Sequence, residues 1–192
     1  MVYFITKRLF DLVFSVIGLL FFGLIILLLV IIASIDTKCQ GVFLQKRIGH
    51  FGKTFTIFKI QTISKDGGIS TFGKFLRKYK LDELPQLVNI LLGQMSFVGP
   101  RPDVPGYYDA LEGEARKILA LKPGLFSWAA IKYYNEESLL KSQDNPQYYN
   151  DNIIFPDKVS MNLEYYYQRS MKEDFKILRA STKIIISSLL SL

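Results

Sequence analysis

Leu81-Asp82-Glu83-Leu84-Pro85-Gln86-Leu87-Val88-Asn89-Ile90-Leu91-Leu92-Gly93-Gln94-Met95-Ser96-Phe97-Val98-Gly99-Pro100-Arg101-Pro102 is the stretch around which the chain is organised. An adjacent acid pair opens a short apolar segment. The segment ends in a turn whose prolines hold Arg101 stiffly. With Asp82 as a helix N-cap, Pro85 takes the third helical position, where its missing N–H costs no intrahelical bond. Both acids then lie at the positive end of the helix, which favours their ionised forms. On that reading Asp82 caps, Glu83 complements the dipole, and no chemistry is required. The neighbours argue for more. Arg77 stands five residues before Asp82, Lys59 ends a predicted strand, and Arg101 follows in its proline turn. Acids able to hold Mg²⁺ beside cations able to neutralise phosphate oxygens supply the needs of phosphoryl transfer. Adjacent residues on a helix do not face the same way, so one acid can attack while the other binds metal.

Upstream, residues 71–80 read as a helix, with Phe72, Phe75, Leu76 and Tyr79 on one face. Thr54-Phe55-Thr56-Ile57-Phe58-Lys59-Ile60 alternates and reads as a half-buried strand, Val42-Phe43-Leu44-Gln45 as a short one, and 51–53 as a turn. Between Lys46 and Lys80 there are nine Lys or Arg and one acid, Asp66. This is a solvated basic face, or a face that gathers phosphates and lipid headgroups. Residues 12–35 contain no charged side chain. As a helix they span about 36 Å, enough to cross a ~30 Å hydrocarbon core. The run is longer than a signal-peptide core and no A-x-A-like site follows, so it reads as a retained anchor. Lys7 and Arg8 precede it; Lys38, Lys46, Arg47 and Lys53 follow. Bases on both flanks leave a spanning helix and a re-entrant one equally open. Gly18 and Gly23 are the only candidate break points, since the run lacks proline.

Downstream, residues 108–121 read as an amphipathic helix ended by Lys122-Pro123-Gly124. Residues 125–131 are apolar and hold Trp128, as a core residue or an interface anchor. Residues 132–156 are polar. Helix resumes over 159–167 and again from Asp174, where 175–192 reads as an amphipathic surface helix. No internal repeat, low-complexity linker or second domain is evident.

The bulk figures narrow the classes. The chain has 192 residues, 49% apolar, with a formal charge of +7, which fits one domain with an anchor. Such a surface suits nucleic acid, anionic lipid or a phosphorylated substrate, and the apolar run favours lipid. Cys39 is the single cysteine, so no intrachain disulfide forms. The lone His50 excludes a multi-histidine metal site and leaves an oxygen-ligated, hard ion such as Mg²⁺.

Several motifs together resemble the bacterial sugar transferases of the monotopic phosphoglycosyl transferase family, over nearly the whole chain. They are Lys7-Arg8-Leu9-Phe10-Asp11, Gln45-Lys46-Arg47-Ile48-Gly49, Phe55-Thr56-Ile57-Phe58-Lys59 and Gly73-Lys74-Phe75-Leu76-Arg77-Lys78. They continue with Leu81-Asp82-Glu83-Leu84-Pro85-Gln86-Leu87, the run from Gly93 to Pro102, Lys122-Pro123-Gly124 and Asp174-Phe175-Lys176-Ile177. The resemblance implies a mainly α fold with a little β. Residues 1–38 form a re-entrant anchor and residues 39–192 a cytosolic, membrane-associated catalytic domain with surface-lying amphipathic helices. It implies a bacterial inner-membrane enzyme with both anchor ends cytoplasmic. That enzyme moves a phosphosugar from a UDP-sugar to polyprenyl (undecaprenyl) phosphate, releasing UMP, as the first membrane step of O-antigen, capsule, exopolysaccharide or glycoprotein glycan assembly. Asp82 matches the nucleophile and Glu83 the partner acid for Mg²⁺ and the acceptor, with Asp82 as a second Mg²⁺ ligand. Lys59, Arg77 and Arg101 match positions around the phosphates. The implied partners are the two substrates and membrane lipid, without nucleic acid; a homodimer is left open. The chain lacks the Ser-Pro break usual near Gly23-Leu24. It carries Gln61 where a base is usual and Leu125-Phe126-Ser127 where Ile-Thr-Gly is common. Its 135–158 region is longer than in many relatives and is the candidate for sugar recognition. Two rivals stand beside this reading: an inactive membrane scaffold of the same fold, and a single-span protein with a nucleic-acid-binding domain, whose binding would weaken steeply with salt.

Overall fold

The computed structural model describes residues 2–190. Met1, Ser191, Leu192 and the Leu189 side chain lie outside the described residues, and with them the end of the expected tail helix. In chain order come α1 (Val2–Thr37), then β1 (Val42–Ile48) and β2 (Thr54–Ile60), α2 (Thr71–Lys78) and α3 (Gln86–Leu91). β3 (Ser96–Val98), β4 (Gly124–Phe126), α4 (Trp128–Lys132), α5 (Glu136–Lys141) and α6 (Pro146–Tyr149) follow. The last elements are α7 (Phe155–Gln168) and α8 (Met171–Leu190). The chain is mainly helical with two small sheets.

α1 is long and apolar enough to cross a membrane. It is helical through Gly18 and Gly23, and only Asp11, Ser15, Ala33 and Thr37 are buried. Many of its Leu, Ile and Phe side chains, among them Leu20, Phe21, Leu24 and Ile35, are exposed, a surface that suits lipid and not water. Both ends of α1 are tied to the same body. Near the start, Arg8 donates to the Ile90 and Leu91 carbonyls at 2.7 and 2.8 Å. Those carbonyls sit at the end of α3, where helix geometry leaves the Leu91 carbonyl without a backbone partner within the helix, while the Ile90 carbonyl also accepts from the Gly93 N–H at 2.9 Å. Asp11 accepts from the Ser96 hydroxyl and the Phe97 N–H, each at 3.0 Å, and Lys7 pairs with Asp174 at 2.7 Å. Near the other end, Ala33, Leu29 and Val30 pack on Ile60, Leu76 and Leu81, and Ser70 donates to Asp36.

β1 and β2 form an antiparallel hairpin with Val42 opposite Ile60 and Ile48 opposite Thr54. β2 does not keep the expected half-buried alternation: Ile57 and Ile60, three residues apart and so on opposite faces, are both buried, one in the cluster with α3 and the other against α1. β1 runs on through Ile48. Paired residues share a face, so Gln45 and Arg47 lie on the same side as Lys59. Ser70 caps α2 by accepting from the Gly73 N–H at 2.9 Å. Asn89 is fully buried on α3 and ties that helix to β2. It accepts from the Phe58 N–H at 3.1 Å and donates to the Thr56 carbonyl at 2.8 Å.

Two regions depart from expectation. Residues 108–121 form two short 3-10 segments, Tyr108–Ala110 and Ala115–Ala120, in place of one helix. Gly113 between them has φ +55, a left-handed conformation that ends helical continuation. The apolar side still turns inward, since Ile118 and Leu119 are buried. The second departure is the parallel pairing of β3 with β4, three residues each, too short for alternation to register. It rests on close backbone approach. The Gly99 N–H donates to the Phe126 carbonyl at 3.0 Å and the Gly124 N–H to the Pro100 carbonyl at 2.8 Å. A Cβ on Gly124 would stand 2.7 Å from the Gly99 Cα and carbonyl oxygen. Gly124→Ala is therefore expected to cost about 1–3 kcal/mol and to loosen the turn carrying Arg101. Gly23→Ala, which meets nothing within 4 Å, is expected to cost nothing. Thermal unfolding of the two variants checks both.

Candidate active site

Asp82 and Glu83 lie in a 3-10 turn, Leu81–Glu83, and Asp82 is not a helix cap. α3 begins only at Gln86, with Pro85 before it. The reason is local. Lys80 takes a left-handed φ of 56 and turns the chain sharply out of α2. The N–H groups of Glu83, Leu84, Leu87 and Val88 then go to the carbonyls of Lys80, Leu81, Leu84 and Pro85. No first-turn donor is left for the Asp82 carboxylate.

The two acids, 7% and 8% exposed, have opposite surroundings. Glu83 is saturated: Arg101 grips it with both terminal nitrogens, one at 3.0 Å from Oε2, and Lys59 donates to Oε1 at 3.3 Å. Asp82 Oδ1 is buried and has no hydrogen-bond partner among the described residues. Burial alone would raise Glu83, but the charges of Arg101 and Lys59 overcome it and hold the group well below the usual carboxylate range. Asp82 is pushed upward by burial and then by the Glu83 charge, against the pull of Lys59, Lys80 and Arg101. The expectation that a helix end keeps both acids ionised is thus corrected: one is locked as an anion and the other is poised. Burial also lowers Lys59, partly offset by Glu83.

Lys59, Arg77, Asp82, Glu83 and Arg101 all line one cleft of about 2190 Å³. Arg77 stands apart from the acids, with Nε donating to Thr62 at 3.2 Å and Nη1 to Glu137 at 3.3 Å. One wall of the cleft is apolar, from Phe14, Phe21 and Ile25 of α1 and Leu178 and Ile185 of α8. The cleft is also lined by Arg47 and Asp103, which the sequence did not mark as site residues, and by Glu136 and Lys158, which lie in the 135–158 region marked for sugar recognition. Arg47 was within reach of sequence reasoning, because strand alternation puts it on the Lys59 face. The other three come together only through tertiary packing.

Residues 2–188 match the family model described as bacterial sugar transferase. The chain belongs to the bacterial sugar transferase family. It is 33% identical over 162 residues to the uncharacterized sugar transferase EpsL of Bacillus subtilis (strain 168), covering 79% of this chain and 80% of that one. It is 34% identical over 153 residues to the UDP-glucose:undecaprenyl-phosphate glucose-1-phosphate transferase of Xanthomonas campestris pv. campestris. That match covers 70% of this chain and 31% of the longer relative. With the exopolysaccharide production protein ExoY of Sinorhizobium fredii (strain NBRC 101917 / NGR234) it shares 30% identity over 162 residues, 70% of this chain and 72% of the other.

For this sugar transferase the fit of a metal rests on the donor set. Among the described residues no group of three or more His, Cys, Asp or Glu could hold an ion. Asp82 and Glu83 offer carboxylates only. Mg²⁺ takes one or two carboxylates and fills its remaining positions with water and substrate phosphate. Asp82 has an oxygen open to it, whereas Glu83 could join only where Arg101 and Lys59 leave it for the substrate.

Proposed function

We propose that this chain transfers a sugar phosphate from a UDP-sugar to polyprenyl phosphate, in two steps through Asp82. The observation that carries the reading is the buried, unpartnered Asp82 Oδ1, set in a cationic cleft beside a fully paired Glu83. The names of the relatives, undecaprenyl-phosphate glucose-1-phosphate transferase among them, support the donor and acceptor classes. In the first step an Asp82 oxygen attacks the sugar-bearing phosphorus. The bond from that phosphorus to the bridging oxygen breaks, and the pair of electrons leaves with UMP. In the second step an oxygen of polyprenyl phosphate attacks the same phosphorus and expels the Asp82 carboxylate, giving a polyprenyl diphosphosugar. A carboxylate nucleophile divides one hard displacement into two.

Lys59 and Arg101 are positioned to stabilise the equatorial phosphate oxygens once substrate competes with Glu83 for them. Arg77, farther along the wall, suits the UMP phosphate. Glu83, with Asp82, would hold Mg²⁺, whose contribution is to neutralise charge on the diphosphate. The apolar wall of α1 and α8 suits the lipid side of the reaction, and the cationic end suits the soluble donor.

Residues 1–38 act as the anchor and 39–192 as the catalytic unit in this reading. α1 enters and leaves the bilayer on one face, the cytoplasmic one. Support comes from Arg8 and Asp36, on opposite ends of α1, which bond to the same body. A Val2→Cys variant on a Cys39→Ser background should resist membrane-impermeant maleimide applied outside intact cells. Labelling there would overturn the topology. For the reaction, membranes holding the protein and Mg²⁺ should release UMP from at least one of a panel of UDP-sugars. They should do so without acceptor, up to one equivalent per chain. Release from none, by folded protein, would sink the proposal.

A further inference from the structure

The cleft extends beyond Arg101 into a charged cluster that the two-step transfer leaves without a task. Arg47 comes from β1, Asp103 from the turn after Arg101, Glu136 from α5 and Lys158 from α7. Lys158 donates to both Glu136 oxygens, at 2.6 and 2.7 Å. Asp103 Oδ1 accepts from the Val104 N–H at 2.8 Å and stands 3.7 Å from Arg47 Nη1. Arg47 is braced by the Pro102 carbonyl and the Gln45 side chain. Glu136 lies close enough to bear electrostatically on both Asp103 and Arg101. Asp103 stands two residues after Arg101 and Arg47 bonds to the Pro102 carbonyl between them, so the cluster adjoins the turn whose Arg101 grips Glu83.

The chemistry of the donor decides what belongs there. A sugar is bonded through one oxygen to the phosphorus under attack, so its ring lies against whatever adjoins Arg101. The apolar wall cannot satisfy ring hydroxyls, and an unmet buried hydroxyl is costly. A phosphate is repelled by two carboxylates. The cluster offers fixed carboxylate acceptors beside ammonium and guanidinium donors, which is what a neutral polyol needs. We infer that Asp103 and Glu136, held by Arg47 and Lys158, form the subsite that reads the ring hydroxyls of the donor sugar. This rests on the proposed transfer reaction. A site built to bond a hydroxyl discriminates strongly against an epimer that places it elsewhere.

The test uses the full chain in membranes. Glu136→Gln and Asp103→Asn are compared with wild type for kcat/KM of UMP release from UDP-glucose, UDP-galactose and their N-acetylhexosamine counterparts. Inhibition by UMP is measured alongside. The preference among sugars should shift by about tenfold or more in each variant, while the UMP inhibition constant stays unchanged. An equal loss for all sugars, or weaker UMP inhibition in parallel, would overturn the subsite while leaving the transfer reaction standing. Wild-type protein that releases UMP from no donor would sink the transfer reading and the subsite with it. The two variants lie on different elements, so a folding defect in one, seen by thermal unfolding, leaves the other as the deciding measurement.

Discussion

Asp82→Asn is expected to abolish UMP release, by at least about 10³-fold, and to make the folded protein more stable at neutral pH. The two outcomes together separate a nucleophile from a helix cap. Loss of a cap would cost about 1 kcal/mol. Here Asp82 Oδ1 has no partner to lose, and the fold raises the group's pKa through burial and the Glu83 charge. The sign follows by linkage. A carboxyl raised in the folded state opposes folding once pH climbs past its unfolded value of about 3.9. Removing its charge therefore stabilises the fold above that range and changes little well below it. Denaturant unfolding at pH 7 and pH 3, beside a UMP assay, reads both. A variant that is less stable at pH 7, or that keeps turning over, would return Asp82 to a structural role. Activity maintained at the expense of stability is the common trade at strained sites.

Glu83→Gln carries the second large effect, with the opposite sign. It leaves Arg101 and Lys59 facing each other without their anion. Removing one partner of a buried ion pair costs about 3–5 kcal/mol. The lower end applies, because the Arg101 side chain is 37% exposed and solvent screens part of the loss. Glu83 is depressed in the folded state, so its contribution is fully present above its unfolded value of about 4.3 and fades as pH falls. Wild type and Glu83→Gln should converge in stability under acid. Residual turnover adds a second readout. Without the Glu83 charge Asp82 ionises more easily, so the acid limb of the first half-reaction should move to lower pH. An acid limb that stays in place would mean that the two carboxyls do not sense each other.

Much of this arrangement was legible in the sequence, and the gaps have physical causes. The apolar run, the strands on either side of the 51–53 turn and the helix from Thr71 are local patterns and formed where the sequence placed them, although β2 is buried on both faces. Lys59 and Arg101, expected around the substrate phosphates, instead pair with Glu83, a partnership that no spacing along the chain announces. Arg77 lines the cleft but turns to Glu137, an exchange between exposed partners that no spacing encodes. The turn at Lys80 was invisible, since a lysine at positive φ carries no signature, and with it went the true setting of Asp82. β3 and β4 escaped notice because backbone contact between Gly99 and Gly124, and not side-chain periodicity, joins them. Asp103, Glu136 and Lys158 are scattered along the chain and meet only when α5 and α7 have packed.

The bonds from Lys7, Arg8 and Asp11 to Asp174, α3 and Ser96 also set a sequence of events during synthesis. α1 is made before every other described element. Two of its partners, Asp174 for Lys7 and Phe175 for Phe10, are made about 165 residues later. On the proposed anchoring, insertion precedes assembly of the cleft, and the bilayer is the surface on which the rest of the chain folds. Cutting the chain after residue 38 would strip α1 side chains from Leu87, Ile60 and Leu76 and take Arg8 from the Leu91 carbonyl. The catalytic part is thus no cargo on an interchangeable tether: it inherits its shape from a helix that must already have met lipid.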